Sequence, residues 1–447
     1  MPKPHQTARA VALQALIQVE QGFGYSNIVL DHSLEDIGLN RRDKALAAAI
    51  FYGVLEKRLT LDYYIVRCLS SPGRKPDPMA LEAIRCGAYQ ILYMDRVPDS
   101  AAVNETVQAV KSAGRAQLAG FVNGVLRGLV RKKGQIELPG GDSLKALSVR
   151  FSVPEDLIKL WTEGYGRRAT VQILDSLSEK PELFIRVNRA RCSAEEFEAS
   201  LKESGVKMCS LQHPQYAAVL ENCGAPQGLE QFKKGMFHVQ DLSAQLVCRA
   251  LDPRPGETIC DCCAAPGGKA FTLAQEVGTE GRIYAFDLHE KRVGLIKDGA
   301  ARLGLDNIYA RVGDAADVLE GVIQADKVLC DVPCSGFGVI KRKPEIRYKN
   351  LESLQDLPKL QYNILQNASR YVRPGGLLLY STCTLNPAEN SAVAKRFLQE
   401  NNGFEPMTID IGLRRVIEEP ENMLTMMPFP KKDRIGAKAW RKGTSNL

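Results

Sequence analysis

The sequence has no long run of apolar residues. Nowhere in its 447 residues do roughly 18 uncharged apolar residues follow one another, which is the length that a membrane-spanning helix requires. The first twenty residues, Met1 to Glu20, also lack the continuous apolar stretch of a secretory signal. We therefore expect a cytoplasmic protein that does not contact a membrane and keeps its thiols reduced.

Cysteine is too sparse for a disulfide framework, with 12 in the whole chain. A structural zinc site would need two C-x-x-C pairs, which the sequence lacks, so no metal is predicted. Six of the twelve cysteines fall between Cys260 and Cys383. We expect packing or catalytic roles for that group.

A strong charge of one sign is absent as well. The chain has 59 Lys and Arg against 52 Asp and Glu, a formal net charge of +7, while 45% hydrophobic residues exclude wholesale disorder. The excess lies in three clusters: Lys111, Arg115, Arg127, Arg131, Lys132 and Lys133; Lys341, Arg342, Lys343, Arg347 and Lys349; and the segment from Lys431 onward. We interpret them as surfaces for a polyanion, with simple solvated faces as the alternative.

The apolar pattern divides the chain into three parts. Residues 1–140 keep the 3.6-residue period of helices, for example from Phe121 to Leu129, and predict an all-α domain. Residues 141–240 mix a helical pattern with strand-like alternation and predict a small α+β adaptor. Residues 241–447 alternate short apolar runs with helical stretches, which predicts an α/β domain with a parallel, Rossmann-like sheet.

Five short apolar runs predict the strands of that sheet. They are Thr258–Cys262, Ile283–Asp287, Ile308–Val312, Val328–Asp331 and Leu377–Ser381. Ligands of such sheets bind at the carboxyl ends of the strands. We therefore expect the functional site at those ends.

The first strand leads into a small, glycine-rich loop that ends in Lys269. A phosphate loop would need Gly and Ser or Thr where Cys263 and Ala270 stand, and the G-x-G-x-x-G pattern is missing too. Acidic residues follow the next strands: Asp287, placed to bind ribose hydroxyls, then Asp314, placed for an adenine amino group, and Asp331. Each alone could serve a turn or a helix cap. Together they favour S-adenosylmethionine over a dinucleotide, whose pyrophosphate these acids would repel.

Two thiols, Cys334 and Cys383, follow the last two strands. Carbon-5 of a pyrimidine is a poor nucleophile, so its methylation first needs a thiolate to add at carbon-6. Asp331 could stabilise the charge that develops near N3. These residues leave open which thiol attacks, and a redox pair of the two is an alternative. We expect Cys260, Cys262, Cys263 and Cys330, inside strands, to be buried packing residues.

The motifs together resemble the RNA cytosine-5 methyltransferases, and within them the bacterial Sun/Fmu (RsmB) type. The resemblance covers essentially the whole chain. The catalytic motifs are Phe237-His238-Val239-Gln240-Asp241, Cys263-Ala264-Ala265-Pro266-Gly267-Gly268-Lys269, Asp331-Val332-Pro333-Cys334-Ser335-Gly336, Val339 to Arg347 and Tyr380-Ser381-Thr382-Cys383. Residues 1–140 resemble the NusB-type RNA-binding domain that this family carries. The resemblance is clearest in the segments Ala102 to Val107 and Phe121 to Arg127.

The resemblance implies roles for individual residues. It implies that Cys383 is the nucleophile and that Cys334 assists product release. It assigns cofactor contacts to Cys263, Ala264, Ala265, Pro266, Gly267, Gly268 and Lys269, and to Asp287, Asp314 and Asp331. The sequence departs from the family at Phe337, where Thr is expected, and after Pro428, where Phe429 leads into Pro430-Lys431-Lys432-Asp433 instead of the Asp-Gly-Phe-Phe strand that usually closes the family's sheet.

The predicted function is S-adenosylmethionine-dependent methylation of cytosine carbon-5 in small-subunit (16S) ribosomal RNA. We expect a monomer whose partner is free or partly assembled small-subunit RNA. Two alternatives remain open at this point: a non-catalytic RNA-binding or ribosome assembly factor, and a transfer-RNA cytosine-5 methyltransferase.

Overall fold

The structure is a computed structural model that describes residues 7–426, except 23, 36, 72, 74, 212–213, 320, 322–323, 408, 410–416 and 420–422. The departure predicted after Pro428 and the basic cluster from Lys431 lie outside the described residues. The described chain forms two compact units. The first comprises residues within Met1–Glu179 and Phe337–Leu351, and the second comprises residues within Lys180–Gly336 and Glu352–Pro428. The predicted boundaries at residues 140 and 240 stay predictions.

The first unit is built from helices, as the sequence predicts. They are α1 (Ala8–Glu20), α2 (Ser26–Leu34), α3 (Arg41–Val66), α4 (Pro78–Tyr93), α5 (Asp99–Ser112), α6 (Ala119–Lys132), α7 (Leu144–Phe151) and α8 (Glu155–Ser176), which is interrupted at Gly166. Helix α4 begins where Asp77 accepts hydrogen bonds from two backbone amides and Pro78 supplies a fixed φ. The apolar faces of α1, α3, α4, α5 and α6 form one core.

The second unit begins with a small antiparallel sheet. Its elements are β1 (Leu183–Val187), α9 (Ala194–Leu201), β2 (Lys207–Ser210), β3 (Ala217–Glu221), α10 (Glu230–Lys233) and β4 (Phe237–Val239), with strand order β2-β3-β1-β4. The side chains of Ser193 and Glu196 form a capping box at the start of α9. The predicted α+β character of this region is confirmed.

The parallel sheet follows. Its elements are α11 (Leu242–Ala250), β5 (Thr258–Asp261), α12 (Gly268–Val277), β6 (Arg282–Asp287), α13 (Glu290–Leu303), β7 (Ile308–Val312), β8 (Ala325–Asp331), α14 (Leu357–Ala368), β9 (Val372–Ser381) and α15 (Ser391–Glu400). The order is β7-β6-β5-β8-β9, and all neighbours are parallel. A separate pair, β10 (Ile417–Glu419) and β11 (Met423–Thr425), is antiparallel.

This topology positions the site. Apolar residues of α11, α12 and α13 cover one face of the sheet, and those of α14 and α15 cover the other. The chain reverses its strand order between β5 and β8, where ligands of such sheets bind. The predicted fold class is confirmed, and the loops after β5, β8 and β9 emerge side by side. Among the described residues, no helix is both long and apolar enough to cross a membrane.

Candidate functional site

The loop between β5 and α12 turns sharply at Gly267. Its φ of +107° lies in a region that L side chains avoid, and a Cβ there would lie 2.3 Å from the Phe271 ring. Only glycine therefore fits this position. The side chain of Gln240 braces the loop, because it donates to the carbonyl of Gly268 at 3.0 Å and accepts from the Thr272 hydroxyl at 2.7 Å. This is a function for the motif around His238 that sequence reasoning missed.

Asp287 and Asp314 both have local partners. Asp287 is buried, accepts from the backbone N–H of His289 at 3.2 Å and pairs with Arg292 at 3.2 Å. Asp314 accepts from the backbone N–H of Ala316 at 2.9 Å. Both acids therefore stabilise the turns after their strands, and their contacts with a cofactor stay predictions.

Asp331 lies at the centre of a short polar chain at the end of β8. Lys269 approaches one carboxylate oxygen with its Nζ at 2.5 Å, and the Ser381 hydroxyl donates to the other at 2.8 Å. Ser381 is paired with Asp331 in the sheet register. Burial lowers the pKa of Lys269, but the charge and hydrogen bond of Asp331 outweigh it and leave the pKa above its usual value. The lysine is therefore held as a cation beside the carboxylate.

A second acid, which the sequence analysis did not single out, ends β5. Asp261 is 1% exposed, and neither carboxylate oxygen makes a hydrogen bond of ordinary geometry with a described residue. Burial, and then the negative charge of Asp331, raises the pKa of Asp261 to about 8. A buried polar atom without a partner is costly in the apoprotein, so it is suited to a ligand that brings a cation or a donor.

The two thiols predicted to react are neighbours. The Sγ atoms of Cys334 and Cys383 lie 3.2 Å apart, with Cys383 exposed and Cys334 half-buried. The hydrogen bond with Cys383, together with burial, raises the pKa of Cys334. Cys334 is therefore a thiol that holds its proton, next to a more accessible sulfur.

The other cysteines of this region are inside the fold. Cys260, Cys262 and Cys330 are buried, which confirms their predicted packing role. The prediction that Cys262 and Cys263 lie inside a strand is wrong, because β5 ends at Asp261 where the chain turns toward α12. Within the described part of the chain, no group of three or more His, Cys, Asp or Glu side chains could hold a metal ion.

The basic clusters differ in exposure. The six Lys and Arg side chains of the cluster in α5, α6 and their flanking residues lie largely at the surface. In the second cluster, Arg347 is 3% exposed and donates to the backbone carbonyls of Glu56, Phe151 and Ser152. The prediction that Arg347 faces RNA phosphates is therefore wrong. The apolar Ile346 and Tyr348 beside it were the sequence signal for this burial.

Comparison with known families agrees with the three-part organisation. The profile of the NusB family matches residues 6–131, and the ferredoxin-like domain of RsmF/B-like methyltransferases matches residues 153–225. The profile of the 16S rRNA methyltransferase RsmB/F matches residues 248–435. The predicted cofactor, S-adenosylmethionine, is thereby confirmed as that of the matched methyltransferase family.

Whole-length relatives extend these matches. The probable ribosomal RNA small subunit methyltransferase B of Bacillus subtilis (strain 168) is 35% identical over 96% of this chain and 94% of its own length. The ribosomal RNA small subunit methyltransferase B of Escherichia coli O1:K1 / APEC is 35% identical over 90% of this chain and 92% of its own. The crystal structure of PH0851 superposes with a TM-score of 0.75, at 25% identity, over 89% of this chain and 90% of that one. With these three family profiles matched and 35% identity over nearly its full length, the chain belongs to the family of ribosomal RNA small subunit methyltransferases B.

Proposed function

We propose that the protein methylates carbon-5 of a cytosine in small-subunit ribosomal RNA, through a covalent bond between Cys383 and carbon-6 of the base. The observation that carries the proposal is the pair of thiols 3.2 Å apart, one exposed and one half-buried, at the strand ends beside an acid. Because the substrate is ribosomal RNA, we place the reaction in the cytoplasm.

The residues at the strand ends fit S-adenosylmethionine. The buried carboxylate of Asp261, whose oxygens lack a hydrogen bond of ordinary geometry, suits the cationic amino group, and the loop from Cys263 to Lys269 allows close approach to its backbone. Asp287 would hold the ribose hydroxyls and Asp314 the adenine amino group. When bound, the cofactor supplies an electrophilic methyl group to the site.

The protein's own groups account for activation of the base. Addition of the Cys383 sulfur to carbon-6 moves electron density to carbon-5 and to the ring around N3. We assign Asp331 and Lys269 together to that developing charge, because the Lys269 cation donates to the Asp331 carboxylate and can pass a proton through it to N3. After methyl transfer, the carbon-5 proton passes to water, its bonding electrons restore the double bond between carbon-5 and carbon-6, and the Cys383 thiolate leaves.

The environments of the two thiols support the order of their roles. The exposed position of Cys383 suits attack on a base that enters from solvent. Cys334 keeps its proton because its pKa is raised, so it suits a helper that assists release of the product.

Trapping the covalent intermediate tests this assignment. With small-subunit RNA and S-adenosylmethionine, Cys334→Ala should accumulate a protein–RNA adduct that survives denaturing electrophoresis, and Cys383→Ala should form none. Cys209→Ala, at an exposed thiol on β2, is the control and should behave like the wild type. Adduct with Cys383→Ala would reverse the roles, and adduct with neither variant would reject covalent catalysis by this pair.

A further inference from the structure

A fully buried carboxylate contacts the backbone of a loop that carries one of the two thiols. Glu389 is 0% exposed and belongs to the short helical turn Pro387–Glu389 that precedes α15. Its Oε2 accepts from the backbone N–H of Ser335 at 2.8 Å and from Nε2 of Gln361 at 2.9 Å, and its Oε1 accepts from Nδ2 of Asn386 at 2.8 Å. Three donors offset the cost of burying this carboxylate. Since Ser335 directly follows Cys334, the acid fixes the backbone next to that thiol.

The next residue, Asn390, bonds to the two residues that flank the other thiol, Cys383. Its Oδ1 accepts from the hydroxyl of Thr382 at 2.5 Å, and its Nδ2 donates to the backbone carbonyl of Thr384 at 3.0 Å. Thr382 and Thr384 flank Cys383 on either side. One amide side chain therefore fixes both neighbours of the second thiol.

Further hydrogen bonds hold the loops that carry the thiols. The hydroxyls of Ser335 and Thr384 lie 2.5 Å apart, and Gln361 donates to the carbonyl of Pro333 at 2.9 Å as well as to Glu389. The hydroxyl of Tyr380, on β9, donates to the backbone carbonyl of Glu389 at 2.6 Å. The two loops are thus bonded to one another and to one consecutive pair of residues.

We propose that Glu389 and Asn390 are positioning residues that set the separation of the Cys334 and Cys383 sulfur atoms. The inference rests on the proposed function, in which one thiol attacks and the other assists release. Neither residue touches the base in this scheme; both act through the loops they hold. Misplacing reacting groups by about 1 Å can cost on the order of 100-fold in rate, so fixing the loops matters to turnover.

The test replaces Glu389 by Gln, which keeps the size and removes the second acceptor oxygen. One donor among Ser335, Gln361 and Asn386 then faces an amide N–H₂ group. We expect kcat to fall roughly 10- to 100-fold, while KM for RNA and Kd for S-adenosylmethionine change less than about twofold. Glu400→Gln is the matched control, because Glu400 lies on α15 and its side chain accepts from Tyr362 and Arg396, away from both thiol loops.

A second readout reports the distance between the thiols without any methyl transfer. Dibromobimane bridges two neighbouring thiols, and mass spectrometry identifies the peptide pair joined through Cys334 and Cys383. We expect bridging at least about tenfold slower in Glu389→Gln and in Asn390→Asp than in the wild type and Glu400→Gln, with unfolding temperatures checked in parallel. Asn390→Asp removes the donor to Thr384 and supplies the same test should Glu389→Gln fail to fold.

Unchanged bridging and unchanged kcat in the folded variants would overturn the proposal. So would a KM increase with kcat retained, since that would make the pair a substrate-binding element. A wild-type protein that bridges rapidly but transfers no methyl group would instead reject the proposed function and leave the positioning inference standing.

Discussion

Replacing Asp261 with Asn is the sharpest test of the electrostatics at the strand ends. The folded protein holds this carboxyl without a hydrogen bond of ordinary geometry, and burial with the charge of Asp331 raises its pKa from 3.8 to about 8. Between those two pH values the folded state keeps the proton and the unfolded state releases it. Stability from this group is therefore complete below pH 3.8 and is lost as pH rises to 8, at about 1.4 kcal/mol per pH unit.

The variant cannot titrate at this position, so its stability relative to the wild type should increase with pH. From pH 5 to pH 8 the difference in unfolding free energy should shift by roughly 4 kcal/mol in favour of Asp261→Asn. Any constant cost of the new amide cancels in this comparison. The prediction therefore concerns only how the difference in unfolding free energy changes with pH.

Hydrogen exchange with mass spectrometry across a urea series measures the unfolding free energies of the two apoproteins. Peptides covering β5 and β6 report the unfolding of the parallel sheet separately from the helical unit. Asp314→Asn is the control, because it makes the same change at an exposed carboxyl that caps a turn, and the pH slope of Asp261→Asn should exceed that of the control. Parallel pH profiles for Asp261→Asn and the wild type would refute the claim that this carboxyl is protonated in the folded apoprotein.

Three further variants test other parts of the site and the fold. Lys269→Met removes the cation beside Asp331 and should lower the single-turnover methylation rate by about 100-fold; a wild-type rate would contradict the role of the pair. Arg347→Ala removes four hydrogen bonds to backbone carbonyls and should lower the free energy of unfolding by about 2–4 kcal/mol, with an unchanged melting temperature as the contrary result. Replacing Arg127 and Arg131 with Ala should reduce the salt dependence of RNA affinity by about one unit of slope for each phosphate that these side chains neutralise, and an unchanged slope would remove that surface from the RNA interface.

The sheet could be predicted because its signals are local. Buried parallel strands have short apolar runs, and β7 matches its predicted bounds, Ile308–Val312. β8 and β9 begin earlier than predicted, at Ala325 and Val372. The prediction missed their first residues because a lysine and a Pro-Gly-Gly segment interrupt the apolar runs. The glycine loop and the strand-end acids were visible for the same reason, since each directly follows its strand.

What the sequence could not provide are the pairings between strands. The contact of Ser381 with Asp331 depends on the register of β8 and β9. The contact of Lys269 with Asp331 depends on the pairing of β5, which leads into α12, with β8. The sequence does not distinguish Asp261 from an ordinary strand residue, because its burial and its lack of hydrogen bonds of ordinary geometry depend on the fold. Arg347 belonged to a basic run, and only the fold turns its guanidinium inward.

The most direct test of the central claim is methyl transfer to unmodified small-subunit ribosomal RNA. The protein is incubated with that RNA and methyl-labelled S-adenosylmethionine, and the RNA is digested to nucleosides and separated. We expect labelled 5-methylcytidine with the wild type and none with Cys383→Ala. Label in any other nucleoside, or no label with the wild type, would contradict the claim.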